Sequence, residues 1–420
     1  MRVEKIECRE VAGGTIRLAG RVVYDDQRRA AEELWFDFPA EHAGALSSSG
    51  NPWLIALLPL AAATGEPLHL SAPVDPLLLR NSYELMAIWR AWYPEMRDAE
   101  LDAKACEPEG RETAGRTASF FSGGVDSFFT AIRHASGGRG GRIDDLLTIH
   151  GFDIPLDREI EFARHREILG RAAGGLGKRL IVIRTNLKAT RLREVPWGAI
   201  GHGCALASVG LCLESRYGTL LIPSTTSFSR LHPWGSHPLT DPLFSTSRMR
   251  VVHDGAAWDR FDKLEVVARS EIVRRSLHVC YRDKSDRNCG TCTKCLQTMI
   301  GLELAGALEA CETFPRRDLD LDRVAQVHLV EGWEFMLFRR LRALALSRGR
   351  VDVARVVSRA LRLSRARRPL VRAASWMAGR RIVWRWASRM NAFARSGPAP
   401  ERSPGRGEDA RVVAAKGSNR

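Results

Sequence analysis

The tightest constraint on the fold is residues 119–130, SFFSGGVDSFFT. An apolar, aromatic run at 118–121 suits a strand buried on both faces of a parallel sheet. Ser122, Gly123, Gly124, Val125, Asp126 and Ser127 follow, and the apolar pattern resumes over 128–132 with helical character. Strand, glycine turn and helix together aim free backbone N–H groups and a helix dipole at an anion. Adjacent glycines permit positive φ and put no Cβ between the backbone and a phosphate. A plain strand-to-helix turn accounts for the glycines but not for the flanking serines and the aspartate. Asp126 would repel a phosphate unless a cation lay between them, and Mg2+ is the cation of choice.

SGGVDS resembles the signature of the PP-loop, or N-type, ATP pyrophosphatases, a family that includes GMP synthetase, asparagine synthetase, tRNA-thiolating enzymes and 7-cyano-7-deazaguanine synthase. The resemblance implies an adenine nucleotide alpha hydrolase-like fold, with ATP and pyrophosphate held by Ser122, Gly123, Gly124, Val125, Asp126 and Ser127. It also implies cleavage of ATP between its α and β phosphates, leaving an adenylated carboxylate or base oxygen. A Walker loop would need GxxxxGK[ST], and no such string occurs.

From residue 117 the pattern alternates strand and helix, with strands at 146–150, 180–184 and 219–223 and helices at 158–169 and 200–213. That alternation predicts a doubly wound parallel sheet with ligands at the carboxyl ends of its strands. Residues 1–115 read as an N-terminal α+β domain of unknown role. Its strands fall at 15–24, 33–38 and 68–72, a buried helix at 53–63 and an amphipathic helix at 81–92. Residues 106–115 have linker composition and 136–141 that of a glycine-rich loop. The irregular stretch 231–244 makes His232, Trp234, His237 and Asp241 candidates for substrate contacts.

Cys280, Cys289, Cys292 and Cys295 are spaced C-x8-C-x2-C-x2-C. Four thiolates in one short segment satisfy tetrahedral Zn2+, and a closed set of four is structural, not catalytic. Reduced cysteines or an iron–sulfur cluster are the alternatives, although the spacing lacks the ferredoxin continuation. Residues 263–306, with their lysine-led helix and CGxCxxC knuckle, resemble the carboxyl-terminal part of the 7-cyano-7-deazaguanine synthases. Together with SGGVDS, the resemblance covers about residues 116–310, and the PP-loop domain is set at 116–312. It implies a phosphate-contacting, catalytic role for Lys263 beside Asp126.

Two departures from that family stand out. Large segments flank the domain on both sides, and the expected Pro-Gly-Arg-Asn stretch survives only as Val195-Pro196-Trp197-Gly198. The base-recognition residues therefore do not transfer, and a deazaguanine-like carboxylate is an implied substrate only, with a protein substrate left open. Residue 2 is Arg where a fused glutaminase would carry its cysteine, so the implied nitrogen source is ammonia or an amine.

Of the net charge of +15, residues 339–395 hold seventeen Arg against Asp352 alone, and residues 1–338 carry about −3. The basicity thus belongs to a helical appendage, 313–395, and not to the site. Helices are expected at 321–348, 351–365 and 370–394, the last with Trp376, Trp386 and Phe393 on one stripe and Arg opposite. Such a helix can lie on an anionic membrane surface, bind nucleic-acid phosphates or dock on its own domain. Residues 396–420 have the composition of a disordered tail. No run of 18 apolar residues occurs and the first ten residues are charged, which predicts a cytoplasmic protein. Nine cysteines fit a reducing compartment, and a homodimer is left open. Two rival expectations are a thiolating tRNA-modifying enzyme and an ATP-binding adaptor without turnover.

Overall fold

The computed structural model describes residues 1–106, 115–135, 141–282 and 285–377, with side chains described to residue 367. Its strands are β1 (Arg2–Val11), β2 (Thr15–Val23), β3 (Glu32–Pro39), β4 (Leu68–Val74), β5 (Leu101–Ala105), β6 (Thr117–Phe120), β7 (Asp145–His150), β8 (Arg179–Thr185), β9 (Thr219–Pro223) and β10 (Arg250–Asp254). All ten join one sheet in the order β10-β9-β6-β7-β8-β3-β2-β1-β4-β5. The five from β10 to β8 are mutually parallel, whereas β3, β2 and β1 pair antiparallel.

The parallel half follows from its sequence. β6 is buried at every position and β7 at all but one, as strands covered on both faces must be. Successive strand residues feed two separate cores. Phe120, Leu147, Ile183, Leu220 and Val251 pack in one with α1 (Asn51–Thr64), α2 (Pro76–Trp92) and α5 (His202–Leu211). Phe121, Leu146 and Leu221 enter the other with α3 (Val125–Arg133), α4 (Glu159–Gly175), α6 (Arg260–Ala268), α7 (Glu271–Ser276) and α8 (Thr293–Leu304). Period-two alternation in the strands thus places helices on both faces. The α1 run WLIALLPLAAA is buried along nearly its whole length, so its apolarity is that of a core helix.

The sheet is continuous across residue 115. β3 pairs with β8 at Phe36–Thr185 and Asp37–Arg184. Asn186 extends the ladder with its side chain, accepting from the Trp35 N–H at 3.0 Å and donating to the Glu33 carbonyl at 2.7 Å. An amide side chain here does the work of one more residue of strand.

Several boundaries differ from expectation. The helix expected at 321–348 is two, α9 (Leu321–Gln326) and α10 (Gly332–Ser347). The break comes at Glu331, which caps α10 reciprocally with Glu334 in the capping-box arrangement. The break expected between 365 and 370 is absent, because α11 runs from Val351 to Met377. Most of the third helix, including Trp386 and Phe393, lies outside the described residues, as do most of the glycine-rich loop, most of the linker and the tail. The helix expected from residue 200 starts at His202, after a wider turn over Trp197–Gly201. Among the described residues, no helix is long and apolar enough to cross a membrane.

Candidate active site and metal centre

The turn after β6 is shaped by one glycine above all. Gly123 has φ +75°, and a Cβ there would lie 2.7 Å from Leu169 Cδ2. The Phe121 N–H still donates to Leu147 in the sheet, and the Phe128 N–H makes the first bond of α3, to Gly124. Between them, the N–H groups of residues 122 to 127 have no acceptor among the described residues. Free donors at a helix start are an arrangement suited to an anion. This turn sits where the strand order reverses, since the chain leaves β6 for β7 on one side and later places β9 on the other. Ser127 is buried and spends its hydroxyl on the Gly124 carbonyl at 3.1 Å. Ser122 is exposed, and Val125 is buried in the core.

Asp126 faces two cations from α6. Arg260 Nη1 lies 2.6 Å from Oδ2 and Lys263 Nζ lies 3.4 Å from Oδ1. Asp259 caps α6 by accepting from the Phe261 N–H at 2.7 Å, which aims the first turn, and Arg260 with it, at the glycine turn. Lys263 is only 1% exposed and is bound by the Ser224 carbonyl at 2.6 Å and hydroxyl at 2.8 Å. Burial pulls its ammonium below the ordinary lysine range, and Asp126 opposes that pull. Lys263 therefore stands behind Asp126 and does not line the cavity beyond it, whereas Arg260 does.

That cavity has a volume of about 340 Å³. Ser122, Asp126, Ser127, Arg260 and Lys294 supply polar surface, and Phe152, Trp197, Leu206 and Trp234 supply apolar surface. Phe152 and Trp197 pack edge to face at 5.0 Å, and Lys188 sits 4.5 Å above the Trp197 ring while bonding the Phe152 carbonyl. Gly198 makes room for Trp234, whose ring would lie 2.9 Å from an added Cβ. Of the four candidates in the irregular stretch, Trp234 alone lines the cavity; His232 packs against that ring at 5.7 Å. His237 and Asp241 are buried structural groups. The Asp241 carboxylate binds Ser236, the His237 N–H and His253.

Three histidines unmarked by any sequence pattern, His165, His202 and His278, also reach the cavity. His165 from α4 and His278 pack ring against ring at 4.6 Å, and His165 Nδ1 and His278 Nε2 are buried without hydrogen-bond partners among the described residues. Burial, with His278 alongside, pushes His165 down to about 4, and burial lowers His278 as well. The His278 N–H donates to the Gly123 carbonyl at 2.8 Å, which ties the segment leading into the cysteines directly to the glycine turn.

The sulfur atoms of Cys280, Cys289, Cys292 and Cys295 lie within 4.8 Å of one another. Gly290, at φ +67°, turns the knuckle against Pro315, which an added Cβ would meet at 2.9 Å. Cys289 Sγ accepts from the N–H groups of Thr291 and Cys292, and Cys292 Sγ from that of Cys295. Hydrogen bonding among the thiols, led by Cys295, pulls Cys292 down to about 5, and Cys295 rises in exchange. Backbone donors aimed at sulfur stabilise thiolates, and four sulfurs at this spacing fit a metal such as Zn2+. Asn288 supports the knuckle from below, accepting from the Val279 and Cys280 N–H groups and donating to the Leu277 carbonyl. Cys280 belongs to both the knuckle and the cavity wall, and Lys294 lines the cavity from between two of the knuckle's cysteines. Cys204 and Cys212 are buried in the core, where desolvation drives their thiols upward.

No protein-family model matches the chain, and neither does any curated protein or solved structure. What fold and site define is a class: an α/β protein with a ten-stranded, mostly parallel sheet and a four-cysteine cluster suited to a metal.

Proposed function

We propose that the chain is a PP-loop ATP pyrophosphatase, similar to the 7-cyano-7-deazaguanine synthases, and that its parallel half is a doubly wound nucleotide-binding sheet. The observation that carries this reading is the run of free N–H groups at 122 to 127, placed at the strand-order reversal and opening on the cavity. Ligands of open α/β sheets bind at that position.

In this reaction a carboxylate oxygen of the substrate attacks the α-phosphorus of ATP. A new O–P bond forms, the α–β bridge breaks and pyrophosphate leaves; ammonia or an amine then displaces AMP. The free N–H groups hold the departing pyrophosphate, and fixed donors of this kind usually contribute more to catalysis than any other single effect. Arg260 supplies charge from the cavity wall, and Lys263 positions Asp126. Both Asp126 oxygens already answer cations, so Asp126 would hold Mg2+ only with Arg260, the cation on the cavity side, turned from it toward phosphate. Bound Mg2+ would supply charge neutralisation to the pyrophosphate. The aromatic lining suits a planar ring on the substrate. A thiolating role is disfavoured by Cys204 and Cys212, which are buried and held as thiols.

The adaptor reading rests on one observation, the ion-paired state of Asp126. Incubation with ATP, Mg2+ and ammonium, with and without 7-carboxy-7-deazaguanine, separates the readings when AMP is resolved from ADP. AMP and pyrophosphate that rise with the deazaguanine acid support class and substrate together. AMP indifferent to it keeps the class and discards the substrate. Retained ATP without AMP moves the assignment to the adaptor.

A further inference from the structure

We propose that Lys294, carried between two cysteines of the knuckle, is a phosphate-binding residue of the cavity, so that metal occupancy sets the affinity of the site for its anion. The inference rests on the phosphate reading of that cavity and adds a residue and a means of control.

Three observations support it. Lys294 lines the cavity together with Ser122, Asp126 and Arg260. Its ammonium makes no ion pair or hydrogen bond to a described residue, whereas Arg260 and Lys263 share the charge of Asp126. Of these three cations, Lys294 is therefore the one without a hydrogen-bonded carboxylate, although Asp153, Asp126 and Cys292 attract it from a greater distance. Asp153, the other carboxylate on the cavity wall, is exposed at its edge. An ammonium on a flexible stem binds phosphate as a point charge.

The position of Lys294 depends on the knuckle. It lies between Cys292 and Cys295 at the first turn of α8, where the Cys292 sulfur accepts from the Cys295 N–H at 3.4 Å. The same knuckle is joined to the glycine turn through the bond from His278 to Gly123. A metal that holds the four sulfurs fixes the helix start from which Lys294 projects, and without it four thiols must share a space suited to an ion. Metal binding and anion binding are then coupled through one short rigid segment.

The test is calorimetric titration of the full, metal-loaded chain with inorganic pyrophosphate and Mg2+, with metal content measured in parallel. Lys294→Met is expected to weaken binding about 10- to 100-fold, the scale of a lost charged hydrogen bond, with metal content unchanged, and Lys294→Arg to restore most of the loss. Removal of the metal under conditions that preserve the far-ultraviolet circular dichroism is expected to lower affinity at least as far as Lys294→Met does. Undiminished pyrophosphate affinity in Lys294→Met overturns the inference, as does a variant that loses metal while binding pyrophosphate normally, since Lys294 would then serve only the metal–thiolate charge. Failure of the parent protein to bind pyrophosphate removes the phosphate reading and this inference with it.

Discussion

Lys263 reaches Asp126 from the protein interior: its ammonium, held by Ser224, lies 3.4 Å from one carboxylate oxygen while Arg260 takes the other. The carboxylate thus partners two cations and, of these, holds back Arg260, the one that lines the cavity. Asp126→Asn keeps the size and releases that hold. Without Mg2+, pyrophosphate is expected to bind Asp126→Asn at least as tightly as the parent. AMP formation with Mg2+ is expected to fall about 100- to 1000-fold, the range for a lost charge-stabilising contact. Parallel titrations and rate measurements check this, and a variant that turns over like the parent would remove Asp126 from the chemistry.

Gly123→Ala tests the turn itself. A left-handed φ costs a non-glycine residue roughly 1–2 kcal/mol, and the new methyl also drives into Leu169. Urea denaturation is expected to show a stability loss of about that size or somewhat more, together with loss of pyrophosphate binding. Adding Leu169→Ala would clear the clash and leave the φ strain, so it should not restore the turn. Parent-like stability in Gly123→Ala would show that the turn has another conformation within reach.

Acid should destabilise the fold in a window set by buried histidines. His165 is 5% exposed and its pKa drops from 6.5 to about 4. The unfolded chain takes up that proton below 6.5 and the folded chain only near 4. Stability therefore falls as the pH drops between these values, by up to about 1.4 kcal/mol per pH unit for one group, and levels off below. His237, also lowered to about 4, adds the same sign. His134 is raised by its bond to Asp254 and acts oppositely, contributing stability that is lost as the pH climbs through its raised value. His165→Leu is expected to flatten the slope of unfolding free energy between pH 6.5 and 4; an unchanged slope would locate the acid sensitivity elsewhere.

Asn288 offers a way to loosen the knuckle without touching a sulfur. Its carbonyl oxygen serves two N–H groups beside Cys280, and its amide reaches Leu277 and Thr313. Asn288→Ala orphans these buried groups, at about 1–3 kcal/mol each. Thermal unfolding of that variant is expected at lower temperature, with the metal lost to a chelator at a lower concentration than from the parent. Metal retention equal to the parent's would mean that the sulfurs alone fix the knuckle.

The parts of the fold legible in the sequence are those whose chemistry is local. The β6 turn announces itself because strand, glycines and helix are contiguous, and the cysteines because four ligands fall within sixteen residues. β1 escapes the pattern since its charged residues alternate with partly exposed apolar ones, and β5 and β10 because each is five residues long with charge inside it. The cap that divides α9 from α10 does have a signal, Glu331 and Glu334 three apart. Arg260, His165, His278 and Lys294 have none, because tertiary packing of four separate segments brings them to one cavity. For Arg260 the capping Asp259 one residue earlier is the nearest thing to a hint.

The seam between β3 and β8 also bears on the order of assembly. Thr185 bonds Trp35 at 2.7 Å across 150 residues of chain, and on a ribosome the earlier strand emerges first. Until β8 follows, β3 carries an open edge of N–H and C=O groups able to pair with another chain, and the closure that satisfies them is among the long-range pairings that form slowly. Substitutions at Asn186, which guards that edge in the finished sheet, should therefore register more strongly in the yield of folding than in the stability of the molecule once made.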